Sequence, residues 1–252
     1  MKISVITVCF NSAATIADTL RSVDAQTWPD IEHWIVDGAS RDDTLRIVEA
    51  HREPWRHVVS ERDKGIYDAM NKGINLARGD VIGFINSDDF YASTDALDKV
   101  AAAFTDPSVD ACYGDLCYVK QDRPDAVVRY WRSSPFRPGL FRKGWCPPHP
   151  TLYVRRNVFE RFGGFDLTYP IAADMELMAR FIEVHRVNAR YLPELLVMMR
   201  MGGASNEGWS SILRQNQEIW RAMKAHDMRP ALFPFVAGKL LARGHQFLSR
   251  PA

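Results

Sequence analysis

The segment Val81-Ile82-Gly83-Phe84-Ile85-Asn86-Ser87-Asp88-Asp89-Phe90 runs an apolar stretch of strand length directly into two adjacent carboxylates. At the C-terminal edge of an open α/β sheet, where such sheets bind ligands, Asp88 and Asp89 would present acidic oxygens to a cleft. Oxygen donors of this kind suit Mg²⁺ or Mn²⁺ held by one or two carboxylates plus substrate phosphates. An acidic turn after a strand has the same local pattern, because Asp is a common turn former. The wider pattern favours the cleft. Asp37 ends the run His33-Trp34-Ile35-Val36, Asp63 lies just past His57-Val58-Val59-Ser60, and Asn11 follows the first apolar run. Polar and acidic positions beyond consecutive strands of one parallel-type sheet share an edge. A ligand there meets hydrogen-bond acceptors first and then a cation site, which is what a nucleoside diphosphate requires. The chain has no Gly-x-Gly-x-x-Gly after its first strand and no Gly-x-x-x-x-Gly-Lys-Ser/Thr, which argues against dinucleotide and P-loop binding.

The elements that would position these residues alternate strand and helix over the first ~115 residues, the rhythm of a parallel sheet. Strands are predicted over residues 3–10, 33–37, 57–60, 81–86 and 109–113. Helices are predicted over 13–25 (capped by Ser12, with Ile16, Leu20 and Val23 on one face), 44–51, 66–77 and 94–105. Ser40 followed by Asp43 resembles a capping box, and Arg78-Gly79 reads as a helix stop. Beyond residue 114 the rhythm changes to a β-ribbon (116–119 with 127–131), a loop rich in Pro, Gly and aromatics (135–150), a helix over 173–184, short strands near 187–191 and 195–199, and a helical tail.

With 252 residues, 46% hydrophobic and 25% charged, the chain has an ordinary globular composition. A net charge of +1 gives no whole-protein field for binding nucleic acid. The four cysteines, Cys9, Cys112, Cys117 and Cys146, form no Cys-x-x-Cys pair, which fits a reducing compartment and gives no zinc signature. The N-terminus lacks the features of a signal peptide, and no window reaches the roughly 18 apolar residues of a spanning helix. The expected location is cytoplasmic, with peripheral attachment to the inner face of the plasma membrane as an open option.

Thr7-Val8-Cys9-Phe10-Asn11, Val36-Asp37-Gly38-Ala39-Ser40-Arg41-Asp42, Asp63-Lys64-Gly65, Ala77-Arg78-Gly79-Asp80 and Asn86-Ser87-Asp88-Asp89 resemble, in order and spacing, the motifs of family 2 glycosyltransferases with the GT-A fold. Gly163-Gly164-Phe165-Asp166 and Ala172-Ala173-Asp174-Met175-Glu176 extend the likeness to the family's acceptor-side segment. The resemblance implies an α/β fold with a mixed, mainly parallel sheet. Residues 1–205 would form the catalytic domain (1–115 for the nucleotide sugar, 116–205 for the acceptor), and 206–252 a helical tail. It also implies transfer of a single sugar, with inversion, from a UDP-, GDP- or dTDP-sugar to an acceptor hydroxyl on a glycan or lipid-linked precursor of a surface polysaccharide. By that resemblance Asp37 would read the nucleobase, with Thr7 and Asn11 nearby. Asp63 and Gly65 would line the donor site. Asn86, at the first position of the family's Asp-x-Asp motif, would lie near the ribose. Asp88 would coordinate Mn²⁺ or Mg²⁺, Asp89 would support it or face the donor sugar, and Asp174 would be the general base.

The sequence departs from the common pattern in three places: Asn86 stands for an Asp, Gly38 follows Asp37 where a second Asp is frequent, and Ala173 precedes Asp174 where Glu is frequent. His149, in Cys146-Pro147-Pro148-His149-Pro150, would approach the diphosphate or acceptor, or else order a proline-rich loop. Asp174 also suits the first turn of a helix, where the dipole favours an acid. The tail is basic, and Leu232-Phe233-Pro234-Phe235-Val236 and Leu240-Leu241 beside Lys239 and Arg243 would lie at an anionic membrane or else pack on the domain. Two other functions share parts of this pattern: a sugar-nucleotide pyrophosphorylase, which needs a Gly-rich loop where Cys9-Phe10-Asn11-Ser12 stands, and a catalytically silent nucleotide-sugar binding module.

Overall fold

A computed structural model of the chain describes residues 1–202 and 208–228, with Phe235, Gly238, Gly244 and Gln246. Strands β1 (Ile3–Cys9), β2 (Ile31–Asp37), β3 (Arg56–Ser60) and β4 (Val81–Phe84) alternate with helices α1 (Ile16–Asp24), α2 (Thr44–Ala50) and α3 (Ile66–Leu76). β5 (Phe90–Tyr91), α4 (Ala96–Ala103), β6 (Ala111–Val119), β7 (Val127–Trp131), β8 (Tyr153–Arg155), α5 (Arg156–Phe162), α6 (Ala173–Met178), β9 (Ala189–Arg200) and α7 (Gly208–Ala225) follow. One sheet runs in the order β3-β2-β1-β4-β8-β6-β9-β5, with β7 paired to β6. β1 to β4 are mutually parallel, whereas β8 enters antiparallel to both β4 and β6. The four parallel strands therefore end on one edge.

Every residue of β1 is buried, because helices cover both sheet faces. Side chains alternate along the strand: Ile3 and Val5 join the apolar cluster with Leu97 and Val100 of α4, while Ile6 and Val8 join the cluster with Met70 of α3 and Leu177 of α6. Gly83 is required at the centre of β4, since a Cβ there would fall 2.2 Å from the Tyr153 ring on β8.

Several local expectations change. Ser12 does not cap α1; its hydroxyl lies 2.8 Å from Ser87 Oγ. Ser40 and Asp43 form no capping box, because Ser40 turns to Asp37 and Asp43 to Arg46. Gly79 lacks the positive φ of a helix cap, and a Cβ there would fall 2.7 Å from the Ser4 backbone nitrogen. The strand near 109–113 and the first arm of the ribbon are one strand, β6. The two short strands near 187–199 are likewise one, β9, and its pairing with β6 shifts register twice around Asp115. Pro193, which cannot donate to a ladder, lies in that unpaired stretch. The helix over 173–184 is α6 followed by a π-helical turn over Ala179–Val184. In the tail, α7 packs Ile219, Ala222 and Met223 into the same cluster as Leu177 and Met178. Of the apolar and basic tail residues set against a membrane, only Phe235 falls among the described residues, where it is buried.

A buried polar relay joins the first three strands. Arg56 Nε donates to His33 Nδ1 at 3.1 Å, so the imidazole proton sits on Nε2 and faces Thr7 Oγ1 at 2.9 Å. Burial, and secondarily the Arg56 charge, hold the His33 pKa well below 6.5. Folded His33 is thus neutral, whereas in the unfolded chain it protonates near 6.5. Its contribution to stability is present above that pH and is lost as pH falls through it, with a limiting slope of about 1.4 kcal/mol per pH unit for one proton. Urea unfolding between pH 7.5 and 5 is expected to show this loss, with a shallower acid slope in His33→Gln.

Candidate active site

Each parallel strand hands a polar residue to the common edge, and the geometry sorts these by whether their side chains remain available. Asp37 has no solvent exposure. Its Oδ1 accepts from Ser40 Oγ (2.5 Å) and Cys9 Sγ (3.6 Å), and its Oδ2 from Ser40 N (3.0 Å) and Ser60 Oγ (2.6 Å). Both oxygens are engaged in tying β2 to β1, to β3 and to its own turn. Burial and the Asp37 charge push the Cys9 thiol upward, so it remains a neutral donor. The Thr7 hydroxyl is buried in the sheet against His33 and does not face the edge.

Asn11 clips the two neighbouring loops together from a left-handed backbone (φ 51°), which Asn tolerates. Its N–H donates to Ser40 Oγ (2.8 Å), and its side-chain oxygen accepts from Arg41 N (2.9 Å). Beside it Phe10 is 60% exposed. Gly38 leaves an open cradle between Phe10 and Asp63: a Cβ there would lie 2.6 Å from Asp63 Oδ2 and 3.4 Å from the Phe10 ring. The other Asp63 oxygen accepts from Gly65 N (2.8 Å), and Gly65 enters α3 with φ 119°. Asp63, rather than Asp37, thus keeps a carboxylate oxygen beside an exposed aromatic ring.

Beyond β4 the chain turns through Asn86–Asp89. Asp89 is fully buried: Oδ2 accepts from Asn86 Nδ2 (2.9 Å), and Oδ1 lies 3.3 Å from Arg200 N. Burial, then the charge of Asp88, push the Asp89 pKa well up. Asp88 is half-buried, and burial raises its pKa against the opposing Arg200 charge. Arg200, the last residue of β9, donates to the Asp88 carbonyl at 2.8 Å and pairs with Asp18 of α1. Thr19 of α1 donates to the Asp89 carbonyl at 2.7 Å. Asn86 Oδ1 is buried with no hydrogen-bond partner. A neutral oxygen without a donor, near a carboxylate raised by burial, is a donor set that fits an oxygen-seeking divalent cation. Among the described residues no three His, Cys, Asp or Glu side chains cluster to hold a metal unaided. A cation here would need oxygens from the ligand.

The second half contributes His149 and Asp174. His149 lies in a short 3₁₀ turn (His149–Thr151), its ring 5.4 Å from that of Phe84 and 5.5 Å from that of Phe165. It is 8% exposed and its Nε2 has no partner. Burial lowers its pKa, and the charge of Asp174 opposes this. Asp174 sits half-buried in the first turn of α6, with Tyr67 Oη 3.1 Å from its Oδ1. Phe84 ends β4, which links this group to the Asn86–Asp89 turn. Sequence reasoning missed Phe10, Tyr67 and Arg200. Phe10 had a signal, as an apolar residue carried past the strand end, whereas Tyr67 and Arg200 are brought in by tertiary packing alone.

The sheet order and flanking helices are those of the GT-A fold. The chain belongs to glycosyl transferase family 2, whose model matches residues 4–163, and it is a glycosyltransferase. It is 32% identical over 217 residues (81% of this chain and 78% of the relative) to a PGL/p-HBAD biosynthesis glycosyltransferase of Mycobacterium bovis. It is 34% identical over 180 residues (71% and 68%) to an uncharacterized glycosyltransferase of Mycobacterium tuberculosis. S. aureus TarS in complex with UDP superposes with TM-score 0.67 at 20% identity, covering 99% of this chain and 71% of that one. Mannosyltransferase PcManGT from Pyrobaculum calidifontis, in complex with GDP-Man and Mn²⁺, superposes with TM-score 0.65 at 23% identity, covering 98% and 70%.

Replacing Arg200 by Met removes the cation and the side-chain donor that hold the acidic turn, at an expected cost of about 2 kcal/mol. Thermal unfolding of Arg200→Met should show the loss, and a variant as stable as the parent would refute this role.

Proposed function

We propose that the protein transfers one sugar, with inversion at the anomeric carbon, from a nucleoside-diphosphate sugar to an acceptor hydroxyl. The observation that carries this reading is the packing of His149, on which the Asp174 charge acts, against Phe84 at the end of β4, two residues before the acidic Asn86–Asp89 turn. In a single displacement the acceptor hydroxyl attacks the anomeric carbon, its proton passes to Asp174, and the nucleoside diphosphate leaves with the bonding pair. Tyr67 holds the receiving carboxylate from one side, which leaves its other oxygen for the proton. Asp88 and Asn86 Oδ1 would hold Mg²⁺ or Mn²⁺. Such a cation neutralises diphosphate charge in the ground state and on departure. Asp89 stays buried behind Asp88 as the anchor of the turn. PcManGT was solved with Mn²⁺, which supports the same cation here.

For the nucleotide, Phe10 offers a stacking face and Asp63 an acceptor for a base N–H, with Asn11 and Gly65 shaping the loops on either side. Asp37 and Thr7 act beneath this layer, keeping the strand ends in register. His149, whose Nε2 has no partner within the protein, would approach the diphosphate or the acceptor. The acceptor would be a glycan or lipid-linked precursor of a surface polysaccharide; one relative is named for PGL/p-HBAD biosynthesis. Among the described residues no helix is long and apolar enough to cross a membrane. A catalytically silent binding module would not need Asp174 held toward the cleft.

Calorimetric titration with UDP, GDP and dTDP, each with Mn²⁺ and with EDTA, should give tight metal-dependent binding of one diphosphate; no binding by folded protein would overturn the reading. Asp88→Ala should abolish the Mn²⁺ dependence. Asp174→Asn should leave donor affinity within about twofold and reduce turnover by roughly 10²-fold or more. Gly38→Ala, whose methyl displaces Asp63, should weaken nucleotide binding by about tenfold without unfolding the chain, equivalent to about 1.4 kcal/mol.

A further inference from the structure

We infer that Glu218, on α7 and beyond the segment matched by the family model, is a positioning residue for Asp174. The inference deepens the proposed reaction and rests on Asp174 being its base. Glu218 Oε2 accepts the backbone N–H groups of Ile171 (2.9 Å) and Ala172 (3.0 Å), immediately ahead of α6. Such donors have no partner within the helix they precede, and no side chain caps α6 from Ala172. On the other side of the same turn, Tyr67 Oη lies 2.9 Å from the Ile171 carbonyl and 3.1 Å from Asp174 Oδ1, sharing its proton between them. Burial pushes the Tyr67 hydroxyl pKa upward, and the charges of Asp174 and, more weakly, Glu218 add to this, so the phenol stays a donor. The backbone at Ile171 is therefore held at its N–H by α7 and at its C=O by α3, three residues before the carboxylate.

Arg221 of α7 and His226, the residue that follows the helix, reinforce this clasp. The Arg221 guanidinium donates to the Thr168 carbonyl and lies 4.4 Å over the Tyr169 ring. His226 Nε2 lies 2.7 Å from Glu176 Oε1, and Glu176 is itself paired with Arg180 at 2.8 Å. The helix thus grips the chain on both sides of Asp174. A base works only where its oxygen meets the acceptor proton, and a misplacement of about 1 Å costs on the order of 10²-fold in rate. Losing Glu218 frees two N–H groups and lets the turn that aims Asp174 relax.

The test uses donor hydrolysis, so that no acceptor need be known. UDP-glucose, UDP-N-acetylglucosamine and GDP-mannose are each incubated with the full chain and Mn²⁺, and the one cleaved fastest is kept. Water then attacks the anomeric carbon, gives its proton to Asp174, and the nucleoside diphosphate leaves. Wild type, Glu218→Ala, Glu218→Gln, Asp174→Asn and the double variant Glu218→Ala/Asp174→Asn are compared for kcat, KM and backbone amide exchange. For Glu218→Ala the expectation is exchange at Ile171 and Ala172 faster by about tenfold, kcat lower by roughly ten- to a hundredfold, and KM within about twofold. Glu218→Gln, which keeps an acceptor oxygen, should retain most of the turnover. Because Glu218 acts through Asp174, the double variant should be no slower than Asp174→Asn. Unchanged amide exchange, unchanged kcat, or losses that multiply in the double variant would each overturn the inference. Asp174→Asn with wild-type turnover would instead remove the base reading, while amide exchange still reports on the clasp. Should Glu218→Ala fail to fold, Glu218→Asp, which keeps the charge but withdraws it by one methylene, is expected to shift kcat and exchange in the same direction.

Discussion

The grip of Arg200 on the Asn86–Asp89 turn is the interaction on which the rest of the site depends. Asp89 is wholly buried beside a second carboxylate, an arrangement that low dielectric and like-charge repulsion both oppose. Arg200 answers with a guanidinium that bonds the Asp88 carbonyl and Asp18, and with its own backbone N–H toward Asp89. A buried charge without such a partner is strongly destabilising. Because Arg200 ends β9, the acidic turn of the first half takes shape only when the second half has threaded β9 between β6 and β5. The carboxylates of the acidic turn and the closing strand are therefore one construction, although more than a hundred residues separate them in sequence.

The same logic divides the edge residues into those that build and those that remain available. Asp37 has both oxygens engaged and no exposed surface, so its role is to fix the relative heights of β1, β2 and β3. Gly38 then leaves bare backbone next to it, and Asp63 moves into that space from β3's loop. The carboxylate beside residue 38 is thus supplied by Asp63 and not by the residue that follows Asp37. The absence of a side chain at 38 is what makes room for this.

The fold was legible from the sequence where burial is two-sided and local. The runs at β1, β2 and β4 are almost wholly buried and mostly apolar because helices cover both faces, and the polar residues that stop them mark the edge. Legibility fails where a distant partner decides. Nothing local distinguishes Asp37, saturated by Ser40 and Ser60, from Asp63, which keeps an oxygen free. Ser12 carries the residue type of a helix cap, yet it faces Ser87 because β4's turn passes beside it. Pro193 splits β9 into two apparent strands, and only the register shift around Asp115 shows how one strand accommodates it. Thr7 follows a family motif in position, but its hydroxyl belongs to the His33–Arg56 relay.

The acceptor side illustrates a further asymmetry. The family model ends at residue 163, short of Asp174, so α6 lies outside the segment that the family model matches. A nucleoside diphosphate presents the same charges and similar base edges from one enzyme to another, and strand ends in a rigid sheet suffice to meet them. An acceptor differs from enzyme to enzyme, and α6 is a short helix that cannot fix its own first turn by internal hydrogen bonds. Its orientation has to come from neighbours: Tyr67 reaching from α3, Glu218 and Arg221 from α7, and His226 from just past the end of α7. Ile219, Ala222 and Met223 of the tail helix are thus continuous with the apolar core that holds Leu177 and Met178 of α6, so the helix that bonds the turn ahead of Asp174 is itself anchored in that core.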